Sequence, residues 1–89
     1  MKRYTCSCCG YKTLVEETRD NYEICVVCYW EDDFVQNEDP DYEGGANEVS
    51  LRQAQKNFKI YGACEERFKA LVVQPELGGY EKDMSFKTF

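Results

Sequence analysis

The chain of 89 residues contains no histidine and only two prolines. Without histidine, neither a Ser–His nor a Cys–His catalytic pair can form. A transition-metal site must then use sulfur or carboxylate ligands. No Gly-rich phosphate-binding loop follows a strand-like segment either, so the sequence does not indicate an enzyme.

Long hydrophobic runs are also missing. No segment approaches the roughly 18 consecutive apolar residues that a membrane-spanning helix requires. The first residues, Met1 to Thr5, lead directly into the first cysteine without the apolar stretch of a signal peptide. We therefore expect no membrane partner and a cytoplasmic location. In a reducing cytoplasm, the six cysteines indicate metal binding rather than disulfide bonds.

Basic residues are missing from one stretch, residues 31–43, which contains seven acidic side chains. The formal net charge of the whole chain is −6, so nearly all of the imbalance lies in this stretch. Proteins that bind nucleic acid concentrate Lys and Arg instead. The charge therefore disfavours a nucleic-acid-binding zinc ribbon and favours a protein partner that has a basic surface.

Four of the cysteines form two Cys-x2-Cys pairs separated by fifteen residues. Each pair wraps a tight turn that directs both sulfurs to one point, and two such turns supply a tetrahedral zinc site without an open position. Gly10, directly after the first pair, can adopt the positive φ that the turn favours, whereas Tyr29 holds the equivalent place after the second. The predicted ligands of one structural Zn²⁺ are Cys6, Cys9, Cys25 and Cys28.

Iron is the alternative metal, because a site of four thiolates accepts either ion. Residues 1–11 and 22–28 look like the two knuckles of rubredoxins, although the loop between them is shorter. The alternative function is therefore electron transfer through iron, or thiol redox chemistry. Cys8, between the two cysteines of the first pair, and Cys64 belong to neither pair. Either a redox role for Cys8 or two small buried side chains is consistent with the sequence.

Short runs rich in Tyr, Thr, Val and Ile predict strands at residues 2–5, 12–15 and 22–24, with a polar turn at 16–21. A final strand is expected at 71–73. The predicted fold class is thus a small α+β domain with a zinc-ribbon or rubredoxin-like β-hairpin that carries two Cys knuckles. An acidic loop and a C-terminal amphipathic helix complete it.

The helix has the clearest local signals. Ser50 and Gln53 form a capping box, apolar side chains then recur at spacings of three and four, and Gly62 is placed to end the helix. A second, short helical turn is expected at 65–70. A basic stripe of Arg52, Lys56 and Lys59 should lie on the exposed face, paired with the acidic loop.

We divide the chain into one zinc-ribbon-like domain, residues 1–73, and a C-terminal tail, residues 74–89. The domain has three parts. They are the ribbon at 1–30, the acidic connector at 31–49 and the helical part at 50–73.

The acidic connector is long for a structureless loop in so small a domain, which suggests that it has a function. Trp30 or Phe34 could anchor a basic partner, and the neighbouring carboxylates would supply charge complementarity. The alternative is a solvated acidic turn with Trp30 packed over the metal site. The candidate partner-binding residues are Trp30, Glu31, Asp32, Asp33, Phe34, Asp39, Asp41 and Glu43.

The sequence resembles the cysteine-rich CPCC family of small, mainly bacterial proteins. The similarity rests on three segments, which read CSCCGYKTL at 6–14, ICVVCYWEDD at 24–33 and GGANEVSL at 44–51. It extends over about residues 4–73. The resemblance implies a zinc-ribbon-like domain and no particular biochemical role.

Two positions depart from the family pattern. Ser7 stands where the family has the proline of its Cys-Pro-Cys-Cys signature, and Val26 stands where the family often has another proline. Both changes loosen a turn without removing a sulfur. The expectation of a four-cysteine metal site is therefore unchanged.

Overall fold

The computed structural model describes residues 2–16 and 22–89. It confirms a small α+β fold that contains a two-stranded antiparallel hairpin, helices and a cysteine cluster. The predicted turn at 16–21 lies almost wholly outside the described residues. The elements are β1 (Tyr4–Thr5), β2 (Lys12–Leu14), α1 (Phe34–Glu38), α2 (Leu51–Tyr61), a 3-10 turn (Glu66–Phe68) and α3 (Pro75–Gly78).

The hairpin places the first cysteine pair in its loop. Tyr4 pairs with Leu14 and Thr5 with Lys12, and a register shift separates the two pairs. Thr13 and Leu14 are buried against the cysteines, because successive strand residues around this irregularity both turn inward. β1 and β2 thus hold the two ends of the loop that carries Cys6 and Cys9.

Two predicted strands are absent from the described residues. At 22–24 only Ile24 pairs, in an isolated bridge with Glu31. The prediction of a strand at 71–73 is wrong, because the backbone there forms hydrogen bonds with other partners. The Leu71 N–H donates to the Phe68 carbonyl in the turn that follows the 3-10 turn, and the Val73 N–H donates to the carbonyl of Val26.

Helix α1 lies inside the acidic connector, where the sequence analysis expected a loop. The Asp33 side chain accepts a hydrogen bond from the Gln36 N–H at 3.2 Å, which is a helix N-cap. Asp followed by Gln three residues later is the same signal that marks the start of α2. The five-residue helix could therefore have been found from the sequence.

Helix α2 begins after Ser50 and ends at Gly62, as its capping signals predict. The Ser50 hydroxyl oxygen accepts the Gln53 N–H at 3.1 Å, and Gly62 has a φ of 74°. Leu51 and Ala54 are buried in the same cluster as the cysteines. The helix is thereby packed against the cysteine-bearing turns.

Residues 74–89, which the sequence analysis assigned to a tail, contact the hairpin and α2. The Glu81 carbonyl accepts the Lys12 N–H at 2.8 Å, and the Asp83 N–H donates to the Gly10 carbonyl at 2.8 Å. The Phe89 N–H donates to the Gln55 side chain at 2.9 Å. We refer to residues 80–89 as the C-terminal segment.

Sulfur and aromatic side chains make up much of the core. All six cysteines are buried, and Trp30 and Leu51 are the largest side chains among the fully buried residues. Among the described residues, no helix is long and apolar enough to cross a membrane. The cysteines and the buried aliphatic and aromatic side chains form one core cluster.

Candidate metal centre

The two Cys-x2-Cys turns share one backbone hydrogen-bond pattern. In the first, the Cys6 carbonyl accepts the Gly10 N–H at 3.0 Å and the Cys6 N–H donates to Tyr11 at 3.0 Å. In the second, the corresponding bonds join Cys25 to Tyr29 at 2.7 Å and to Trp30 at 2.9 Å. The two Cys-x2-Cys pairs were predictable from their spacing, whereas this shared backbone conformation was not.

The fifth residue of each turn has a positive φ. Gly10 has φ 79°, as its position after the first pair predicts, and Tyr29 has φ 73°. A left-handed conformation costs a non-glycine residue about 1–2 kcal/mol. Tyr29 offsets this cost through its ring, whose centroid lies 4.8 Å from that of Phe68.

The four sulfurs of these turns form one cluster. The ligand atoms of Cys6, Cys9, Cys25 and Cys28 all lie within 4.8 Å of one another. The Cys6–Cys28 and Cys9–Cys25 sulfur pairs are separated by 3.6 and 3.7 Å. A tetrahedron with Zn–S bonds of about 2.3 Å has S···S edges of about 3.8 Å. The cluster therefore has the size of a tetrathiolate metal site.

Water is excluded from the cluster and polar groups face its sulfurs. Each of the four cysteines has a relative exposure of 1% or less. The Thr13 hydroxyl lies 3.0 Å from the Cys25 sulfur, and the Cys8 N–H donates to the Cys6 sulfur at 3.4 Å. Such hydrogen bonds around a metal site orient thiolate ligands and disperse their charge.

The thiols perturb one another strongly. Hydrogen bonds from Cys28, Cys6 and Cys9 hold the pKa of Cys25 well below its ordinary value, because they stabilise its thiolate. The bond to Cys25 raises the pKa of Cys6 and Cys9, and burial raises that of Cys28. Four thiolates buried side by side repel one another and lose their hydration. Only a cation between the sulfurs stabilises all four thiolates together.

Cys8 and Cys64 are not members of the four-sulfur group. Both are buried, with relative exposures of 1% and 0%. The Cys64 N–H donates to the carbonyl of Cys28 at 2.7 Å, and burial raises the pKa of the Cys64 thiol. A buried thiol with a raised pKa is chemically inert. For Cys64, the expectation of a small buried side chain agrees with these contacts.

Three of the predicted partner-binding residues lie inside the protein. Trp30, Asp32 and Asp33 have relative exposures of 1%, 3% and 6%. None of these three side chains is exposed, and Trp30 lies in the core cluster that contains the cysteines. The buried polar side chains of this stretch form hydrogen bonds within the protein.

A buried polar network accounts for this burial. The Trp30 indole N–H donates to Asn37, which in turn donates to the Asp32 carboxylate at 2.6 Å. The Asp33 carboxylate accepts the N–H of Gln36, in the first turn of α1, and the N–H of Ala46. Each carboxylate thus meets the hydrogen-bonding demand of a buried charge.

Gln36 and Asn47 organise the rest of the connector, and the sequence analysis gave neither residue this role. Gln36 is fully buried, and its amide donates to the carbonyls of Tyr42, Asn47 and Val49 at 3.0–3.1 Å. Asn47 bonds to the backbone N–H and carbonyl of Glu31 at 2.9 Å. The connector is consequently a folded loop around two amide side chains.

The other predicted partner-binding residues lie at or near the surface. Phe34 is 50% exposed, Asp39 and Glu43 are exposed, and Glu31 is half-buried. Asp41 is exposed and forms an ion pair with Arg52 at 2.7 Å, and the Arg52 hydrogen bond lowers the pKa of the Asp41 carboxyl. The expected pairing of the basic stripe with the acidic connector is thus confirmed at Arg52.

Fold and site together define a class of small α+β proteins built around a buried cluster of four cysteines. The family model described as cysteine-rich CPCC matches residues 4–78, and the chain belongs to that family. The resemblance found in the sequence is therefore confirmed. Comparison with curated protein sequences finds no match.

Proposed function

We propose that the four-cysteine cluster binds one Zn²⁺ and that the protein is a non-enzymatic, cytoplasmic zinc-binding module. The supporting observation is the pair of S···S distances, 3.6 and 3.7 Å, in a cluster that excludes water. Four protein ligands leave no coordination position for a substrate, so the role of the ion is structural. Bound zinc supplies the positive charge that keeps four adjacent thiolates ionised.

Elemental analysis of protein purified without added metal tests the zinc site. We expect one zinc and no iron per chain. Replacing Cys9 or Cys25 with serine should abolish binding, because three sulfur ligands form an incomplete site. The matched control is Cys64→Ala, which removes a buried thiol outside the cluster and should keep one zinc.

Two other results would contradict this proposal. One iron per chain, with a red colour and a reversible reduction potential, would identify an electron-transfer protein. Six titratable thiols in a folded, metal-free chain would exclude a resident metal altogether.

We also propose that the exposed part of the acidic connector binds a basic protein partner. Phe34, Val35 and Tyr42 are 50%, 51% and 44% exposed, and the exposed carboxylates of Asp39 and Glu43 lie in the same stretch. Apolar anchors within a ring of like charge are typical of surfaces that recognise a partner of opposite charge. Asp32 and Asp33 have no part in this surface.

Charge reversal tests the partner surface. Asp39→Lys combined with Glu43→Lys should lose the partners that the wild-type chain captures at low salt. Phe34→Ala should weaken the same interaction at every salt concentration, because it removes an apolar anchor. Glu76→Lys, at an exposed site on α3, is the control for charge alone. An unchanged set of partners in the double variant would refute the electrostatic interface.

A further inference from the structure

The C-terminal segment covers the first cysteine turn. The Asp83 N–H donates to the Gly10 carbonyl at 2.8 Å, directly after the cysteine pair. The Phe86 ring fills the place where a side chain at Gly10 would begin. This cover lies beyond residues 4–78, the part of the chain that the family model matches.

A different segment, residues 63–73, covers the second cysteine turn. The Phe68 ring packs on Tyr29, with 4.8 Å between the ring centroids. Ala63 and Cys64 have relative exposures of 0%, whereas every residue of the C-terminal segment is exposed or half-buried. The cover of the second turn is thus anchored by buried residues, and the cover of the first turn lies on the surface.

In the first turn, side chains hold two of the backbone carbonyls. The Cys9 carbonyl accepts the Lys82 ammonium group at 2.9 Å, and the Ser7 carbonyl accepts the Gln55 side-chain amide at 2.9 Å. The Gln55 side chain in turn accepts the Phe89 N–H at 2.9 Å. Both hydrogen bonds therefore connect the first turn to the C-terminal segment.

In the second turn, backbone N–H groups make the equivalent bonds. The Cys28 carbonyl, which corresponds to that of Cys9, accepts the Cys64 N–H at 2.7 Å. The Val26 carbonyl accepts the Val73 N–H at 2.9 Å. A backbone donor leaves only when its whole segment moves, whereas a lysine ammonium group leaves by rotation of its flexible side chain. The first turn is therefore the easier one to uncover.

We propose that the C-terminal segment is a strap that controls metal exchange, and that the first cysteine turn opens when the cluster takes up or releases its ion. Four protein ligands leave no open coordination position, so exchange requires one turn to move away from the other. Lys82 holds the strap on the Cys9 carbonyl. Gly79, with a φ of 72°, joins the strap to α3 and provides the hinge. The inference rests on the metal binding proposed above.

Amide hydrogen exchange, followed by NMR on the zinc-loaded full chain, tests the opening. The Lys12 and Asp83 N–H groups join the hairpin to the strap. After correction for intrinsic rates, they should exchange at least about tenfold faster than those of Cys64 and Val73. Lys82→Met should speed the exchange of the first pair and leave the second pair unchanged. Equal protection of both pairs would overturn the proposal.

Zinc release into an excess of the chromogenic chelator pyridylazoresorcinol tests the route. Lys82→Met should speed the release about tenfold, because a charge-assisted hydrogen bond is lost. Lys82→Arg keeps a charged donor and should stay within about twofold of the wild-type rate. The matched control is Lys69→Met, the same change at an exposed residue of the segment that covers the second turn. It should leave the release rate unchanged.

The two covering rings provide a second matched pair. Phe86→Ala uncovers the first turn and should speed zinc release about tenfold, whereas Phe68→Ala should change the rate by less than about twofold. Phe68→Ala also lowers stability, so a release that required global unfolding would respond to it as strongly. Equal acceleration by the two variants would therefore overturn the proposal.

The zinc content of each protein is measured before its release rate. A wild-type chain without zinc would refute the proposed function and this inference together. One zinc per chain, released at the same rate from the wild type, Lys82→Met and Phe86→Ala, would overturn the strap alone.

Discussion

Gly10 and Tyr29 occupy equivalent positions in the two cysteine turns but contribute to stability in different ways. Gly10 supplies its positive φ without strain and leaves room for a neighbour, since the Phe86 ring lies where a side chain would begin. Tyr29 accepts the strain and packs its ring on Phe68. The same backbone conformation is therefore reached by a glycine where space is lacking and by an aromatic residue where a contact is gained.

Gly10→Ala should destabilise the metal-loaded protein by about 2–4 kcal/mol. About 1–2 kcal/mol comes from the left-handed conformation and the rest from overpacking against Phe86. An added Cβ would lie 2.3 Å from a carbon of that ring. Denaturant unfolding measures the difference.

The double variant Gly10→Ala/Phe86→Ala separates these two causes. It should be less destabilised than the sum of the two single variants, because the clash disappears with the ring. Strictly additive effects would show that Phe86 does not limit the space at residue 10.

The helices and loops differ in how locally they are encoded. Helix α2 begins after a serine cap and ends at a glycine, so its bounds follow from neighbouring residues. The connector depends on Gln36, which bonds to carbonyls six to thirteen residues further along the chain. No local pattern in the sequence predicts hydrogen bonds between residues this far apart.

Ser50→Ala should cost about 1 kcal/mol of stability, since the Gln53 N–H loses its capping oxygen. Ser50→Asp should restore most of the loss, because aspartate caps a helix equally well. Thermal unfolding followed by circular dichroism measures both variants. If Ser50→Ala leaves the stability unchanged, the cap contributes nothing to α2.

Gln36→Ala should destabilise the protein by about 2–4 kcal/mol, because several buried backbone groups lose their partner at once. Gln74→Ala, at an exposed position before α3 with no side-chain cap bond, is the matched control and should change stability by less than about 0.5 kcal/mol. Chemical denaturation of both variants provides the comparison. Equal effects would mean that the connector does not depend on Gln36.

At the scale of the whole molecule, the cysteine cluster replaces much of an ordinary hydrophobic core. A chain of 89 residues buries a smaller fraction of its surface than a large domain does, and folded domains are stable by only about 5–15 kcal/mol. Zinc binding to four thiolates contributes about 10 kcal/mol in small peptides. A zinc ion bound as we propose would therefore account for most of the net stability.

Removal of the metal should unfold the protein cooperatively. Trp30, which is 1% exposed and the only tryptophan, should shift its fluorescence emission to longer wavelength when a strong chelator is added. The helical circular dichroism signal should fall over the same chelator range, and added zinc should restore both signals. Unchanged emission in protein shown to be metal-free would contradict a stabilising role for the ion.

The sequence by itself determined the four clustered cysteines and the bounds of α2. Both follow from local rules, because a Cys-x2-Cys turn and a capped helix involve residues only a few positions apart. Family membership likewise followed from short segments of sequence. The roles of zinc and of a basic partner stay predictions.

Only the tertiary structure decided which acidic residues are buried and where the chain beyond residue 73 lies. The burial of Asp32 and Asp33 depends on Asn37 and Ala46, and the path of the C-terminal segment depends on bonds to Gly10. These interactions join residues up to 73 positions apart. Local sequence patterns cannot specify them, because each depends on where the rest of the chain has already folded.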